Sequence, residues 1–366
     1  MTWYFAAILA LLGFMFLIII HEAGHFTAAK LVGMRVEKFA LFFGPPIWKK
    51  QVGETEYSIR TIPAGGYVKI TGMNPSEQLS DEARTRSYYA QPVWKRLVVI
   101  SAGPAVNIVV GFLLLLLFSS AIGLHRGNEV GDVARGFPAQ GVLHPGDLLV
   151  AVDGHGGSVQ NMTKQVARHK CAVQPPASHC KATTPARVTI ERHGKRMTFV
   201  MTPIYDATTT PHKMRLGFSY NPNGGPHDPL PFGKAIDQSA SAFWNITKQT
   251  VSIPAKLIDP NQRKQINGIV GSYETTRQTI IADPGDVIGI MAIISMSLAI
   301  VNLFPFLPLD GGHIFWAIVE KIRGKPVAYS TMERSGVVGF ALVLMLFAIG
   351  LTNDIGQLQN GGFKPR

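Results

Sequence analysis

The stretch FLIIIHEAGHFTAAK, residues 16–30, places two histidines and a glutamate at the end of a long apolar run. The run begins at Trp3 and contains no charged residue before Glu22. An ionised side chain inside a membrane helix costs about 2.5–3.5 kcal/mol on insertion scales, so such residues usually have a function. The stretch therefore indicates a membrane helix that carries a functional site.

Four uncharged runs in the sequence are long enough to cross a membrane. A bilayer core of about 30 Å needs roughly 20 helical residues at about 1.5 Å per residue. The second run has 28 residues, whereas the third and fourth are nearer the minimum, so we expect short, broken or tilted helices there. The runs are residues 3–20, 97–124, 287–304 and 336–352. The sequence therefore predicts a polytopic α-helical membrane protein with about four transmembrane helices.

Basic residues predict how these helices are oriented. Residues 33–96 carry ten Lys or Arg and residues 305–336 carry four, so the positive-inside rule places both loops in the cytoplasm. Residues 125–285 carry eighteen, but long translocated segments are exempt from the rule. We therefore expect the N-terminus and residues 125–285 outside the cytoplasm. The net charge of +12 favours anionic lipid, and nothing in the sequence indicates nucleic-acid recognition.

His21 and His25 have the spacing of a metal-binding pair. Four residues of helix correspond to about 400° of rotation and about 6 Å of rise, so both imidazoles project from one face. Glu22 lies about 100° round the helix, where it can take a proton from a metal-bound water. The alternative is a cluster at the membrane boundary whose histidines bind backbone carbonyls. A divalent cation accounts better for the pattern, because it uses two imidazoles as ligands and offsets the carboxylate charge.

A catalytic zinc site normally has three protein ligands, so this turn needs one more. The best candidate is Asp310 in NLFPFLPLDGGH, residues 302–313, where prolines and glycines interrupt the third run. Interrupted backbone at membrane depth is tolerated only where it is buried in protein or lines a cavity. A carboxylate there can therefore face the HEAGH helix. Two alternatives remain open: Asp310 starts a turn or caps the next helix, and His313 competes as the ligand.

Three motifs together resemble the site-2 proteases, the intramembrane zinc metalloproteases of regulated intramembrane proteolysis. They are HEAGH in the first run, SAGPAVN (101–107) in the second and NLFPFLPLDGG in the third. The bacterial branch of that family has four spans and an external PDZ domain, a plan that this chain follows over nearly its whole length. The resemblance implies one zinc ion per chain, held by His21, His25 and Asp310, with Glu22 as the catalytic acid and base.

The resemblance also implies residues near the substrate. Asn302 is expected beside the bound substrate, and Gly103 and Asn107 belong to the motif that packs by the site. The alternative for those two is close helix packing with one interhelical hydrogen bond. In one departure from the family, Pro308 lies three residues after Pro305, where the family often has two.

Residues 54–70, ETEYSIRTIPAGGYVKI, alternate enough to form a β-hairpin with Pro63, Gly65 and Gly66 in its turn. In the family, such a hairpin enters the membrane from the cytoplasmic side. An open strand edge could hold a substrate in extended form, which matters because a helix hides its amides in hydrogen bonds. We therefore expect Gly65, Gly66 and Tyr67 to contact the substrate. The alternative is an ordinary cytoplasmic hairpin.

Residues 125–206 resemble a bacterial PDZ domain through GDVARGFPAQGVLHPGDLLVAVDG. Such a domain could capture an extended peptide or a C-terminus, or it could sterically exclude substrates with a bulky external part. Cys171 and Cys180 fall here and are compatible with a disulfide, the alternative being two free thiols. Residues 234–257 look amphipathic and either lie along the membrane surface or pack under the PDZ domain.

These signals predict the following order of segments, with the hairpin inside the second: a first helix (1–32), a cytoplasmic loop (33–96), a second helix (97–124), the PDZ domain (125–206), a linker with an amphipathic helix (207–285), a third helix leading to LDGG (286–304), a cytoplasmic loop (305–335) and a fourth helix (336–352).

The sequence predicts a multi-pass zinc metalloendopeptidase of the bacterial plasma membrane that hydrolyses peptide bonds of single-span membrane proteins in or near the lipid bilayer. HEAGH is expected near the cytoplasmic side. The substrates implied by the resemblance are clipped anti-sigma factors or remnant signal peptides. The alternatives are a PDZ membrane scaffold with a structural metal, and a membrane HExxH peptidase acting on soluble peptides. The second is disfavoured because it usually needs a Glu as third ligand, and the third and fourth runs contain none. A zinc transporter is weaker still, because the other spans carry few ionisable residues.

Overall fold

The computed structural model describes residues 3–73, 77–172, 176–207, 213–221, 224–259, 263 and 268–359. The chain forms two compact units, one of Met1–Phe118 with Phe232–Arg366 and one of Ser119–Pro231. The first contains the long apolar helices, and the second is rich in short β-strands.

The helices and strands follow one another in this chain order: α1 (Trp3–Leu31), β1 (Val36–Val52), β2 (Thr55–Ile70), α2 (Asp81–Thr85), α3 (Val93–Leu117), β3 (Leu124–His125), β4 (Glu129–Val133), β5 (Leu148–Val152), β6 (His155–Gly156), α4 (Val159–Arg168), β7 (Ala186–Arg192), β8 (Lys195–Met201), β9 (Ile204–Asp206), β10 (Lys213–Arg215), β11 (Phe218–Asn221), β12 (His227–Asp228), α5 (Phe232–Val251), α6 (Ile253–Ile258), α7 (Ile269–Ala282), α8 (Val287–Asn302), α9 (Asp310–Arg323) and α10 (Tyr329–Gln359).

Within the described part of the chain, four helices are long and apolar enough to cross a membrane, which confirms the prediction of about four spans. They are α1, α3, α8 and α10. The fourth is longer than the apolar run 336–352, because α10 extends it with polar residues at both ends. Segment 305–335, predicted as a loop, contains the helix α9.

The membrane helices of the first unit pack closely through small residues. A Cβ at Gly24 of α1 would lie 2.8 Å from the carbonyl oxygen of Ala102, so the backbones of α1 and α3 are in contact. Between α3 and α8, the Ser295 hydroxyl donates a 2.8 Å hydrogen bond to the backbone carbonyl of Asn107. Small residues allow this close approach in a membrane, where packing rather than the hydrophobic effect drives association. The HEAGH turn consequently lies against the middle of α3.

The β-hairpin differs from the one predicted within residues 54–70. Residues 55–70 form the single strand β2, which pairs with β1 across a turn at Gly53 (φ 61°). Leu41 of β1 has two partners, Ile59 and Gly66, so the middle of β1 lies between two parts of β2. The chain reverses between these two parts, in the region of the predicted turn, but they pair with β1 and not with each other. Alternation within one segment could not reveal a partner strand whose FFGPP, residues 42–46, contains residues that normally interrupt strands.

The chain turns tightly after α8, as its prolines and glycines predict. Gly311 and Gly312 lie so close to the backbone of Leu303 and Leu307 that a Cβ at either glycine would overlap it. Helix α9 begins here at Asp310 and ends before Gly324 (φ 67°), a left-handed C-cap. The break thus starts a new helix with a carboxylate in its first turn.

Helix α5, within the segment predicted to be amphipathic, packs against the membrane helices of its own unit. Phe243 and Ile246 contact the cluster formed by Leu115 of α3 and Met296 of α8. The opposite face leaves Trp244 exposed.

The described part of the second unit contains a six-stranded β-sheet, two two-stranded sheets (β9 with β10 and β3 with β12) and the helix α4. The strand order of the six-stranded sheet is β11–β4–β5–β7–β8, with β6 beside β5. Its core contains Leu149 and Ile190 from the sheet and Met162 from α4, all fully buried or nearly so. Cys171 and Cys180 form a disulfide. This is the β domain that the sequence predicts, and its assignment as a PDZ domain stays a prediction.

Candidate metal centre

Helix α1 brings His21 and His25 together on one face. Their Nε2 atoms are 3.2 Å apart and both side chains are buried. Nδ1 of His25 donates a 2.8 Å hydrogen bond to the backbone carbonyl of Val99 on α3. A carbonyl can only accept, so Nδ1 carries the proton and Nε2 has a free lone pair. This is the arrangement in which a second hydrogen bond orients a metal-binding histidine.

Asp310, the first residue of α9, completes the cluster. Its Oδ2 lies 3.2 Å from Nε2 of His21 and 3.2 Å from Nε2 of His25. Oδ2 is buried, and within the described structure it accepts no well-formed hydrogen bond. Three electron-pair donors thus converge at one largely buried point.

The spacing of these three atoms fits a tetrahedral zinc ion. Bonds of about 2.0–2.2 Å to nitrogen and oxygen place neighbouring ligand atoms roughly 3.3 Å apart, close to the 3.2 Å found for each pair. Without a cation, an unprotonated imidazole nitrogen and a buried carboxylate would face each other at a cost. Residues His21, His25 and Asp310 are therefore able to hold zinc and leave one position open.

Glu22 lies beside this cluster and lines the same cavity, which has a volume of about 650 Å³. A Cβ at Gly66 would lie 3.2 Å from Cγ of Glu22, so β2 passes directly over the glutamate. Glu22 is not one of the three converging ligands. It is placed to exchange a proton with a group held between the cluster and β2.

Most of the residues predicted to contact substrate also line this cavity. Asn302 at the end of α8 lines it, as do Gly65, Gly66 and Tyr67 of β2. His313 lines it as well, but its nitrogens are outside the cluster formed by the three ligand atoms.

Asn107 is not brought to the cavity. Its side chain is fully buried, and neither of its amide atoms has a hydrogen-bond partner in the described structure. Its contact with α8 is made by the backbone carbonyl, which accepts from Ser295. The residue one turn earlier, Gly103, takes the place beside the site: a Cβ there would overlap the His25 ring. Asn107 lies on nearly the same face of α3 but about 6 Å further along the helix, which moves it along the axis away from the metal cluster.

Sequence reasoning missed two features of this site. Val99 orients His25 through its backbone carbonyl, and side-chain patterns carry no signal for a carbonyl. Arg96 on α3 forms a buried ion pair with Glu320 on α9. The sequence does mark both residues, because each is an ionisable residue next to or within an apolar stretch. It does not show that they contact each other, since they are 224 positions apart.

Comparison with known proteins agrees with this chemistry. The model of the family described as "Peptidase family M50" matches residues 9–346. A protein of Clostridium perfringens named as a zinc metalloprotease is 31% identical, and the match covers 95% of this chain and 98% of that protein. One of Synechocystis with the same name is 32% identical over 90% and 88% of the two chains. One of Rhizobium meliloti is 29% identical over 93% and 94%. The converging histidine and aspartate atoms and the match over most of the chain lead to one conclusion: the chain belongs to peptidase family M50, the site-2 protease family, and is a membrane zinc metalloprotease.

Proposed function

We propose that this metalloprotease cleaves single-span membrane proteins within or near the bilayer. The proposal rests on the depth of the ligand cluster within the membrane. His21 precedes the end of the candidate span Ile8–Leu31 by ten residues, which is roughly 15 Å of helix. Half of a hydrocarbon core of about 30 Å is also roughly 15 Å. A peptide bond that reaches this cluster therefore lies inside the membrane, where soluble peptides do not partition.

Each residue of the centre has a proposed role. His21, His25 and Asp310 hold the zinc ion, which when bound polarises a carbonyl and lowers the pKa of water toward about 7. Glu22 accepts the proton of the attacking water and delivers it to the leaving nitrogen. Its position beside the ligands, rather than among them, supports that role.

The substrate is proposed to bind as an extended strand along β2. Residues 66–70 pair with β1 on one side, and no strand of the described structure pairs with their other side. This open edge contributes Gly66, Tyr67 and Val68 to the cavity wall. A transmembrane helix must unwind before hydrolysis, and backbone hydrogen bonds to an open strand edge would stabilise the unwound segment. Asn302, which also lines the cavity, is proposed to contact the same segment.

The orientation of the chain is also a proposal. The basic loop 33–96 would lie in the cytoplasm, so the metal centre would lie between the middle of the bilayer and its cytoplasmic surface, and Ser119–Pro231 would lie outside. The external unit would act as a PDZ domain that binds a peptide or C-terminus, or that excludes bulky substrates. Clipped anti-sigma factors and remnant signal peptides have the single-span form that this arrangement accepts.

The decisive experiment compares the wild-type protein with Glu22→Gln in lipid nanodiscs. Zinc content and cleavage of a single-span reporter are measured on the same samples. We expect full zinc occupancy in both proteins and cleavage reduced by at least 100-fold in the variant, since general acid–base catalysis contributes about 10²–10⁴-fold. A reporter that remains intact with zinc-loaded wild type, while a soluble peptide of the same sequence is cut, would refute the proposed substrate class.

Glu54→Gln is the matched control. Glu54 forms ion pairs with Arg86 at 2.7 Å and with Lys30, at the C-terminal end of α1, at 2.8 Å, next to the turn of the β-hairpin and away from the cavity. This variant should cleave the reporter like wild type. Persistent cleavage by Glu22→Gln would remove Glu22 from the mechanism.

A further inference from the structure

Helix α3 is connected to two of the three ligands. It orients His25 directly through the Val99 carbonyl. Three residues earlier, Arg96 binds Glu320 of α9, the helix that begins with the ligand Asp310. Both connections start from the same turn of α3. The same turn of α3 therefore contacts both helices that supply the proposed ligands, α1 and α9.

The Arg96 guanidinium and the Glu320 carboxylate form a bidentate ion pair. Nη1 donates to Oε2 at 3.0 Å and Nη2 donates to Oε1 at 2.5 Å. A bidentate guanidinium–carboxylate pair restricts orientation as well as distance, which a single contact does not.

The surroundings of Arg96 restrict it further. The guanidinium carbon lies 5.9 Å from the ring centroid of Tyr88 and 5.5 Å from that of Tyr89. The Tyr89 hydroxyl in turn contacts the sulfur of Met332 on α10, at 3.6 Å. The two ring centroids are 5.2 Å from each other, so both rings pack on the same side of the guanidinium.

Stability alone does not account for this pair. The Arg96 side chain is 3% exposed and that of Glu320 is 18% exposed, so both charges pay a desolvation cost. Nε of Arg96 is buried and has no partner in the described structure, so the cost is only partly compensated. Apolar residues of similar volume often stabilise as well as a buried ion pair, whereas a paired charge can specify one arrangement.

Other contacts of α9 act elsewhere along the helix. Gly311 and Gly312 pack tightly on the backbone of Leu303 and Leu307, and Nε1 of Trp316 donates a 3.1 Å hydrogen bond to the Ser335 hydroxyl of α10. The Arg96–Glu320 pair joins the C-terminal part of α9 to α3. Asp310 lies ten residues before Glu320, about 15 Å along the helix. A shift of α9 by 1 Å would move the Asp310 carboxylate by the same amount, which is large against a metal–ligand bond of about 2.0–2.2 Å.

We propose that Arg96 and Glu320 are positioning residues: their ion pair sets the place of α9 on α3 and so holds Asp310 beside the two histidines. Neither touches the substrate or the metal. The inference rests on the proposed ligand set. Its consequence is that the geometry of the zinc site depends on a contact about 15 Å away along α9.

The test is a zinc affinity titration of the full-length protein in nanodiscs, with a competing chelator and with the thermal unfolding of the zinc-free protein measured in parallel. Glu320→Gln is expected to lower zinc affinity about 10–100-fold, the range found when an outer contact that orients a ligand is lost. The double variant R96M/E320M fills the same space without charge. It is expected to unfold near the wild-type temperature and still bind zinc at least tenfold more weakly, because flexible apolar chains do not define one position.

Glu274→Gln provides the matched control. Glu274 forms a bidentate pair with Arg277, but both residues lie on α7, so the pair cannot position one helix on another. The control should bind zinc like wild type. Unchanged zinc affinity in Glu320→Gln, or wild-type affinity in R96M/E320M, would overturn the proposal.

A third variant tests the ligand assignment separately from the positioning role. Asp310→Ala is titrated in the same way and should lose zinc affinity more severely than Glu320→Gln. If Asp310→Ala binds zinc normally, the ligand set itself is wrong. If Asp310→Ala fails to bind while Glu320→Gln is unaffected, the ligand set stands and only the positioning role fails.

Discussion

The Nδ1–H of His25 donates to the backbone carbonyl of Val99 across the contact between α1 and α3, at 2.8 Å. This bond makes the other ring nitrogen available to a metal and links a ligand on one membrane helix to the backbone of the next. Zinc binding should therefore respond to changes in α1–α3 packing that leave every ligand in place.

Gly103→Ala is the most direct test of that dependence. The new Cβ would overlap the His25 ring, and either the ring or the α1–α3 contact must move. We expect zinc affinity to fall at least tenfold, because a 10–100-fold loss is typical when the orientation of a ligand is disturbed. Isothermal titration with zinc measures it. Gly289→Ala is the control, since its Cβ would meet Phe118 at an ordinary 3.5 Å; a normal titration for Gly103→Ala would contradict the prediction.

His313→Ala should leave zinc occupancy unchanged. His313 lines the cavity, but its nitrogens lie outside the group of atoms formed by His21, His25 and Asp310. Metal analysis of the purified variant measures occupancy, with His25→Ala as the positive control for loss. A His313→Ala protein without zinc would restore His313 as a ligand.

Gly66→Ala should impair cleavage while zinc remains bound. Its Cβ would lie 3.1 Å from the Ala40 carbonyl oxygen and 3.2 Å from Cγ of Glu22, so the new methyl group narrows the space between β2 and the proposed base. We expect at least a tenfold lower kcat, because misplacement by about 1 Å can cost 10²-fold. Gly233→Ala, where a Cβ meets nothing within 4 Å, controls for the substitution itself. Equal kcat values for the two variants would argue against a tight fit at Gly66.

Asp147→Asn should destabilise the second unit. Asp147 is 2% exposed and accepts hydrogen bonds from Nε and Nη2 of Arg192, each at 2.6 Å, and from the His144 backbone N–H at 2.7 Å. Removing the charge leaves the part-buried Arg192 without its counterion and weakens the hydrogen bonds to it, which should cost about 1–3 kcal/mol. Hydrogen exchange of the β5 and β7 amides in the full chain measures the free energy of opening. Asp132→Asn, at an exposed position, should change it by less than about 0.5 kcal/mol.

The same pair predicts how the stability of this unit depends on pH. Burial alone would raise the pKa of Asp147, but the hydrogen bonds from Arg192 and His144 outweigh it and hold the pKa below the ordinary 3.8. A lowered folded-state pKa stabilises the fold above pH 3.8, and this contribution is lost as the pH falls through the folded-state value. Exchange protection of β5 should therefore decrease below pH 4 in wild type and change less in Asp147→Asn. Parallel pH profiles for the two proteins would rule out Asp147 as the source.

The sequence by itself determined the chemistry and the helices that carry it. The four-residue spacing of His21 and His25 fixes both on one helical face, and uncharged runs of span length predict membrane helices. The prolines and glycines around Asp310 correctly predicted a break in the third helix. These signals are readable because each depends on periodicity or backbone constraint within a few residues.

Only the tertiary structure decided which distant groups meet. The partner of β2 is a strand interrupted by FFGPP, and local alternation does not show how strands pair. Gly103 lies against the His25 ring, whereas Asn107, about 6 Å further along the same face of α3, does not line the cavity, and this depends on where α1 crosses α3. The Arg96–Glu320 pair joins residues 224 positions apart. Such contacts depend on helix rotation, sliding and strand register, which arise from the packing of the whole unit and leave no periodic pattern in the sequence.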